Sequence, residues 1–346
     1  MGERRPVHDQ DPPRALRCLL LGRGTLALAL LEGLLQTGAS SGGCQVAGVL
    51  PWPEPAGRAD PGDAVFRHLV RRRRLRGLRL ASANDPAFPR LLARLEVGVV
   101  LVASWGERLA CRVLGAEGVR FVNCHPSLLP AHRGANPYAS VIRAGERETG
   151  VTFHLMTDQI DAGPVLLQAR VPVHDTDTGG SLRERCAACA RSLVPALIEQ
   201  LSAPDPLSAA TPQCALGRAS RFPGLRPVDA ALDFRLDPGR LRDHVRAVQP
   251  WLSPYAAVRR PGPTLRLAVA AARPAAVAPA GAPHGAVLAV RGDTVLVGCA
   301  GGAVALEGVR LVLAGRQLPA CLSRALCGLL LRPSMRLGEA DDPDRR

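Results

Sequence analysis

Short apolar runs alternate with amphipathic stretches over the first two hundred residues, and the two periods assign the elements. Ala15 to Leu21 reads as a buried strand, followed by Gly22, Gly24 and a helix through Leu35. Val46 to Leu50 is a second strand. Ala64 to Arg76 and Pro86 to Leu95 have helical spacing, and Val97 to Ala103 is continuously apolar, as a central parallel strand is. Arg108 to Leu114 predicts a short helix and Val119 to Cys124 the next strand. Val151 to Met156 and Val165 to Val173 predict two more, and Ser181 to Leu201 a long amphipathic helix. Such alternation predicts a doubly wound, mostly parallel sheet with helices on both faces, a Rossmann-like α/β fold.

Beyond residue 203 the pattern changes. Ala203 to Gly217 is rich in Pro, Ala and Ser without a sustained period, and reads as a linker. A helix is expected at Pro238 to Val248, a strand at Trp251 to Val258 and a loop at Ala272 to Pro283. Short β segments follow at Gly285 to Val290, Thr294 to Gly298, Ala303 to Glu307 and Val309 to Leu313. Their spacing suggests a smaller C-terminal β-barrel of about 100 residues. The expected organisation is an extension (1–14), an α/β catalytic domain (15–203), a linker (204–217), a barrel (218–334) and a polar tail (335–346).

Composition narrows the function classes. With 346 residues and 47% hydrophobic residues, two cores can be buried and wholesale disorder is excluded. The apolar stretch Leu16 to Leu35 is interrupted by Arg17, Arg23 and Glu32, which excludes a spanning helix, and no secretory signal is recognisable; the expected compartment is the cytoplasm, with no membrane partner. All 44 basic residues are Arg, and the net charge is +14. Scarcity of Lys, Ile, Asn, Tyr and Phe reflects GC-rich coding, so part of the basic excess is drift; the rest favours polyanionic partners. Ten Cys are irregularly spaced. Only Cys186 and Cys189 form a C-x-x-C, mid-helix and without a second ligand pair, so buried thiols are expected and no metal site.

Gly22-x-Gly24-x-x-Ala27 fits a dinucleotide fingerprint, but the second strand ends at Leu50-Pro51-Trp52 without the acid such a site needs; a tight strand-to-helix turn is the better reading. The informative segment is 121–160. It holds seven of the chain's fourteen Asn, Ile, Phe and Tyr residues, where an even spread would leave fewer than two. Asn123 and His125, two apart at the end of a strand, point the same way at the carboxyl edge of a parallel sheet. With Asp161 on a following loop they suit acyl transfer without a nucleophilic side chain. Asn123 would donate to a carbonyl oxygen gaining charge, His125 would donate to that oxygen or take the proton of an attacking amine, and Asp161 would orient the imidazole.

The run Asn123-Cys124-His125-Pro126-Ser127-Leu128-Leu129-Pro130, then Arg133-Gly134, Pro137, Gly150-Val151-Thr152, Met156 and Asp161-x-Gly163, resembles the formyltransferases that use 10-formyltetrahydrofolate. The resemblance extends to Leu19–Gly24, to Ser104-Trp105-Gly106-Glu107-Arg108-Leu109, and downstream to Arg226–Phe234, Val248–Trp251 and Gly285–Leu288. It implies an α/β catalytic domain with an OB-like C-terminal barrel, Asn123, His125 and Asp161 as catalytic residues, 10-formyltetrahydrofolate as co-substrate and no metal; a monomer is the expected state. It also implies that Ser104, Trp105, Gly106 and Leu109, with Ser127, Leu128, Leu129 and Pro130, flank the folate.

Methionyl-tRNA formyltransferases share this two-domain layout, and initiator methionyl-tRNA is the first candidate acceptor. Residues 205–346 carry +8 and residues 1–204 carry +6, which puts the denser basic excess in the C-terminal part. Arg58, Arg71 to Arg74, Arg240, Arg242, Arg246 and Arg259 are candidate phosphate contacts. The short, acid-containing segment after the second strand and Arg226-Pro227-Val228-Asp229 point instead to members that formylate amino-sugar nucleotides or natural-product amines, which is the alternative. An inactive RNA-binding relative is the third reading.

Overall fold

Strand β1 (Leu16–Gly22) is buried from Cys18 onwards, and Gly22 ends it where a Cβ would overlap the carbonyl oxygen of Ala103. The computed structural model describes residues 15–41, 43–53, 60–258, 265–275, 282–313, 316–331 and 335–338. Next come α1 (Gly24–Ser41), β2 (Cys44–Pro51), α2 (Pro61–Arg72), α3 (Ala87–Arg94), β3 (Val99–Ala103), α4 (Cys111–Leu114), β4 (Arg120–His125), β5 (Arg133–Gly134), α5 (Pro137–Arg143), β6 (Glu148–Leu155), β7 (Val165–Pro172) and α6 (Gly179–Ser202). The central sheet has the order β2-β1-β3-β4-β6-β7. β1 to β4 are parallel, as a βα alternation requires, whereas β6 runs antiparallel to β4. The sheet is therefore mixed. One face packs Leu19, Leu21, Val100, Val102 and Phe121 against Phe88, Leu92 and Val113 of α3 and α4.

Local chemistry sets the element ends. α2 begins with Asp60 as N-cap in a reciprocal capping box with Asp63 and with Pro61 in its first turn. It stops because Arg74 adopts a left-handed φ of 52°, so the helix expected over Ala64 to Arg76 is shifted towards the N-terminus. The helix expected over Arg108 to Leu114 shrinks to α4, because side chains hold the preceding residues: the Ala110 N–H donates to Asn84 Oδ1, and Asn84 Nδ2 donates to the Arg108 carbonyl. α5 is short and apolar, and Asn136 (φ 54°) caps it; its brevity hides it from periodicity.

The chain then forms η1 (Gln213–Ala215), β8 (Arg221–Phe222), η2 (Pro227–Ala230), α7 (Pro238–Val248), β9 (Tyr255–Val258), β10 (Leu265–Ala268), β11 (Ala271–Ala275), β12 (Val287–Arg291), β13 (Thr294–Cys299), β14 (Gly302–Glu307), β15 (Arg310–Leu313), β16 (Arg316–Gln317), α8 (Ala320–Leu330) and β17 (Leu337–Gly338). Two antiparallel sheets, β16-β15-β10-β9-β17 and β11-β14-β13-β12, enclose a core of Val, Leu and Ala, the expected small barrel. Three local expectations are corrected. β9 starts at Tyr255 because residues up to Leu252 continue the turn of α7, with the Leu252 N–H bonded to the Val248 carbonyl. The expected loop at Ala272 begins as β11, where Pro274 is tolerated on an edge strand. Leu337 of the expected polar tail is buried and pairs with β9. Extension residues 1–14, Arg58, Arg259 and residues 339–346 lie outside the described residues.

The described residues fall into two compact units, one within 1–133, 150–171 and 184–219, the other within 134–149, 172–183 and 220–346. No helix among them is long and apolar enough to cross a membrane.

Candidate active site

β4 supplies the first two residues of the site. Phe121 lies in the core, and the two-residue period then carries Asn123 and His125 along the same face to the strand's carboxyl end, while Val122 and Cys124 face the other way. β6 supplies a third residue. In the antiparallel register Asn123 pairs with His154, which sequence reading missed. The signal was present in the motif beginning Gly150-Val151-Thr152, two residues before His154, but only the cross-strand register shows what that position faces. Asp161 lies beyond β6 with a left-handed φ of 55°. Gly163 follows where a Cβ would overlap the Leu155 carbonyl oxygen.

The four side chains meet. Asp161 Oδ1 lies 3.6 Å from His125 Nδ1 and 3.6 Å from His154 Nε2, and accepts from Asn123 Nδ2 at 3.2 Å. Asn123 Nδ2 also lies 3.1 Å from His154 Nε2. Carbonyl partners fix the tautomers, because a carbonyl can only accept. His154 Nδ1 donates to the Leu155 carbonyl at 2.8 Å, leaving Nε2 to accept from Asn123. His125 Nε2 donates to the His132 carbonyl at 2.9 Å, leaving Nδ1 towards Asp161. His125 is only 4% exposed, and burial pushes its pKa below the ordinary imidazole value. Asp161 and the His132 carbonyl oppose that shift; the neighbouring His154 and His132 add to it. At neutral pH His125 is thus a neutral imidazole whose free nitrogen faces a carboxylate.

The two expected folate loops leave the carboxyl ends of the adjacent parallel strands β3 and β4, where Val102 pairs with Asn123. In the first, Ser104 and Gly106 are exposed and Leu109 is buried. Trp105 is half-buried against the core, its ring edge-on to Trp52 at 4.6 Å, and its buried indole N–H has no partner. The loop is braced by Glu107, which accepts from the Ser82 hydroxyl, from the Ala83 N–H at 3.0 Å and from Asn84 Nδ2 at 2.9 Å. In the second, Ser127 and Leu129 are buried: the Ser127 hydroxyl donates to the Ala131 carbonyl, and the Leu129 N–H donates to Thr152 Oγ1. Pro130 is buried too, so of these side chains only the half-buried Leu128 is placed to meet a ligand.

The glycine turn after β1 is no anion site. Two carboxylates occupy the start of α1: Asp63 Oδ1 accepts from the Gly24 N–H at 2.7 Å and Asp60 Oδ1 from the Thr25 N–H at 2.9 Å. Backbone donors that would hold a dinucleotide phosphate are therefore spent within the protein. Cys186 is buried and Cys189 half-buried in α6. Burial, with both of them close by, pushes the Cys124 thiol well up, which makes it a poor nucleophile. Among the described residues no group of three or more His, Cys, Asp or Glu could hold a metal ion.

Comparison with known proteins identifies the family. The formyl transferase family profile matches residues 17–198. A methionyl-tRNA formyltransferase of Rhodopirellula baltica is 31% identical over 313 residues, covering 88% of this chain and 91% of the relative. One from Roseiflexus sp. is 35% identical over 331 residues, covering 94% and 96%. Among solved structures, an N-formyltransferase from Helicobacter canadensis in complex with folinic acid and dTDP-3-aminofucose superposes with a TM-score of 0.61 at 15% identity, covering 84% of this chain and 99% of its own.

Proposed function

Since the chain belongs to the formyl transferase family, we propose that it transfers the formyl group of 10-formyltetrahydrofolate to the amino group of methionyl-tRNA. The observation that carries the reading is the hydrogen-bonded cluster of Asn123, His125, His154 and Asp161, its two histidines buried, at the carboxyl edge of the sheet. The acceptor follows the relatives named methionyl-tRNA formyltransferase, whose similarity runs through both parts of the chain. A likeness to sugar N-formyltransferases at 15% identity supports the fold and gives no preference for a sugar amine.

The folate, when bound, supplies a formyl carbon on a nitrogen that departs as the acceptor amine attacks. The fit rests on the loops leaving β3 and β4: the Trp105 edge and Leu128 give apolar flanks, and the unpartnered indole N–H of Trp105 is a donor in want of an acceptor. His125 is built to take the proton of the attacking amine. Its Nε2–H is already anchored on the His132 carbonyl, so the incoming proton goes to Nδ1, where the imidazolium sits against Asp161; the same proton then passes to the departing folate nitrogen, which leaves as a neutral amine and restores the neutral imidazole. As Asp161 turns to that new charge, its bond from Asn123 Nδ2 weakens. An amide N–H is then released to the oxygen on which negative charge develops. His154, held as an acceptor by its own backbone, keeps the Asn123 amide facing the site.

An acceptor comparison tests the reading: the full chain with 10-formyltetrahydrofolate, offered charged initiator tRNA or an amino-sugar nucleotide. Formyl-methionyl-tRNA should form and the sugar remain unchanged. Formylation of the sugar alone would replace the tRNA reading with the alternative.

A further inference from the structure

Gln213 lies in the stretch whose Pro/Ala-rich composition reads as a linker, yet it is only 4% exposed. Thr211 and Val165 exchange both backbone hydrogen bonds at 2.8 Å, which fastens this segment beside β7. The Gln213 amide then makes four bonds. Nε2 donates to the Asp161 carbonyl at 2.9 Å and to the Gly163 carbonyl at 2.8 Å. Oε1 accepts from Arg133 Nε at 3.1 Å and Arg133 Nη2 at 2.6 Å. Both hydrogens and both lone pairs of the amide are used, and neither end can be exchanged: carbonyls can face only the nitrogen, a guanidinium only the oxygen. The clamp bears on the two residues that flank the Asp161 turn, one left-handed and one with no room for a side chain.

We infer that Gln213 is a positioning residue for the formyl-transfer site, holding the Asp161 backbone so that its carboxylate faces His125, with Arg133 orienting the amide. The inference rests on the role given above to Asp161. It assigns Arg133 a function within the Arg-Gly motif, and it makes residues 211–213 part of the site rather than a connection. Neither Gln213 nor Arg133 touches the reacting atoms.

The test uses the full chain and a readout that needs no acceptor, the NMR titration of the His125 ring. That ring faces Asp161, His154 and His132. Asp161 raises its pKa, so Asp161→Asn must lower it. Gln213→Met, similar in size but without hydrogen bonds, should lower it in the same direction by a smaller step, as the carboxylate drifts. Gln213→Glu separates positioning from stability: its carboxylate still receives Arg133 but confronts the two carbonyls. Assayed well below its own melting temperature, it should turn over roughly ten-fold to a hundred-fold more slowly, with the KM for the folate within about two-fold. A His125 titration unchanged in Gln213→Met, with Asp161→Asn shifted, would overturn the clamp alone, as would parental turnover by Gln213→Glu. If Asp161→Asn leaves the titration in place, the reading of the site falls and takes the clamp with it.

Discussion

Each of the chain's three asparagines occupies a position that uses the amide. Asn84 ties Glu107 and the following backbone into the loop after β3, Asn136 takes the left-handed cap of α5, and Asn123 donates to His154 and Asp161. In a composition that suppresses Asn, such retention made Asn123 visible from the sequence, and its spacing to His125 fixed the shared direction. His154 and Gln213 were hidden for a different reason: one is revealed by cross-strand register, the other by a contact spanning 52 residues of sequence. Replacing His125 or Asp161 with Ala should abolish most turnover while the protein still melts cooperatively. Asn123→Ala should cost about 100-fold to 1,000-fold in kcat, the usual effect of one lost oxyanion donor; near-normal turnover would remove Asn123 from that role. The pH profile carries the sign of the His125 shift. Activity requires the neutral imidazole, and burial lowers its pKa, so the acidic limb should lie below the ordinary value of about 6.5. Asp161→Asn should move whatever activity survives to a still lower limb, because the charge opposing that shift is gone.

At the scale of elements, the parallel strands β1, β3 and β4 were legible as apolar runs and the long helices as periodic ones. What escaped is what tertiary bonds decide: the shortened α4, the seven-residue α5, and β11 carrying its proline at an edge. α7 adds a titratable group to the second unit. His244 is buried, its Nε2 has no partner, and burial, then the nearby Arg143, lower its pKa to about 4, against the opposing pull of Asp229 and Asp233. Between pH 6.5 and 4 the unfolded chain binds a proton there that the folded chain refuses, so stability falls as the pH drops through that window. The contribution is at most roughly 3 kcal/mol. His244→Gln should flatten the fall in melting temperature over that range; an unchanged slope would show that another group carries it.

For the whole molecule, two cores and a C-terminal barrel were legible in the sequence, but the interleaving of segments was not. α5 belongs with α7, and Tyr138 stacks on Trp251 at 5.8 Å, so residues 134–149 depend on residues far along the chain. A truncation removing residues 205–346 takes away Gln213 and the partners of α5. It should therefore give an unstable fragment, rather than the folate-binding core a simple two-domain reading would expect. A fragment that melts cooperatively near the temperature of the full chain would contradict this. Charge acts at the same scale. Arg71 to Arg74 are exposed at the end of α2, whereas Arg246 is spent on Asp243 and on the carbonyls of His174 and Asp177, so the described arginines are unequal candidates for phosphate contacts. Several such contacts would lower apparent affinity for tRNA by roughly ten-fold to a thousand-fold between 50 and 200 mM salt, and a small amine would show a much shallower slope. The most direct measurement is single-turnover transfer of labelled formyl from 10-formyltetrahydrofolate to charged initiator methionyl-tRNA, by the parent chain and by His125→Ala. Formyl-methionyl-tRNA is expected from the parent, with a loss of at least about 100-fold in the variant. Equal rates from the two proteins, or no product from the parent, would contradict this expectation.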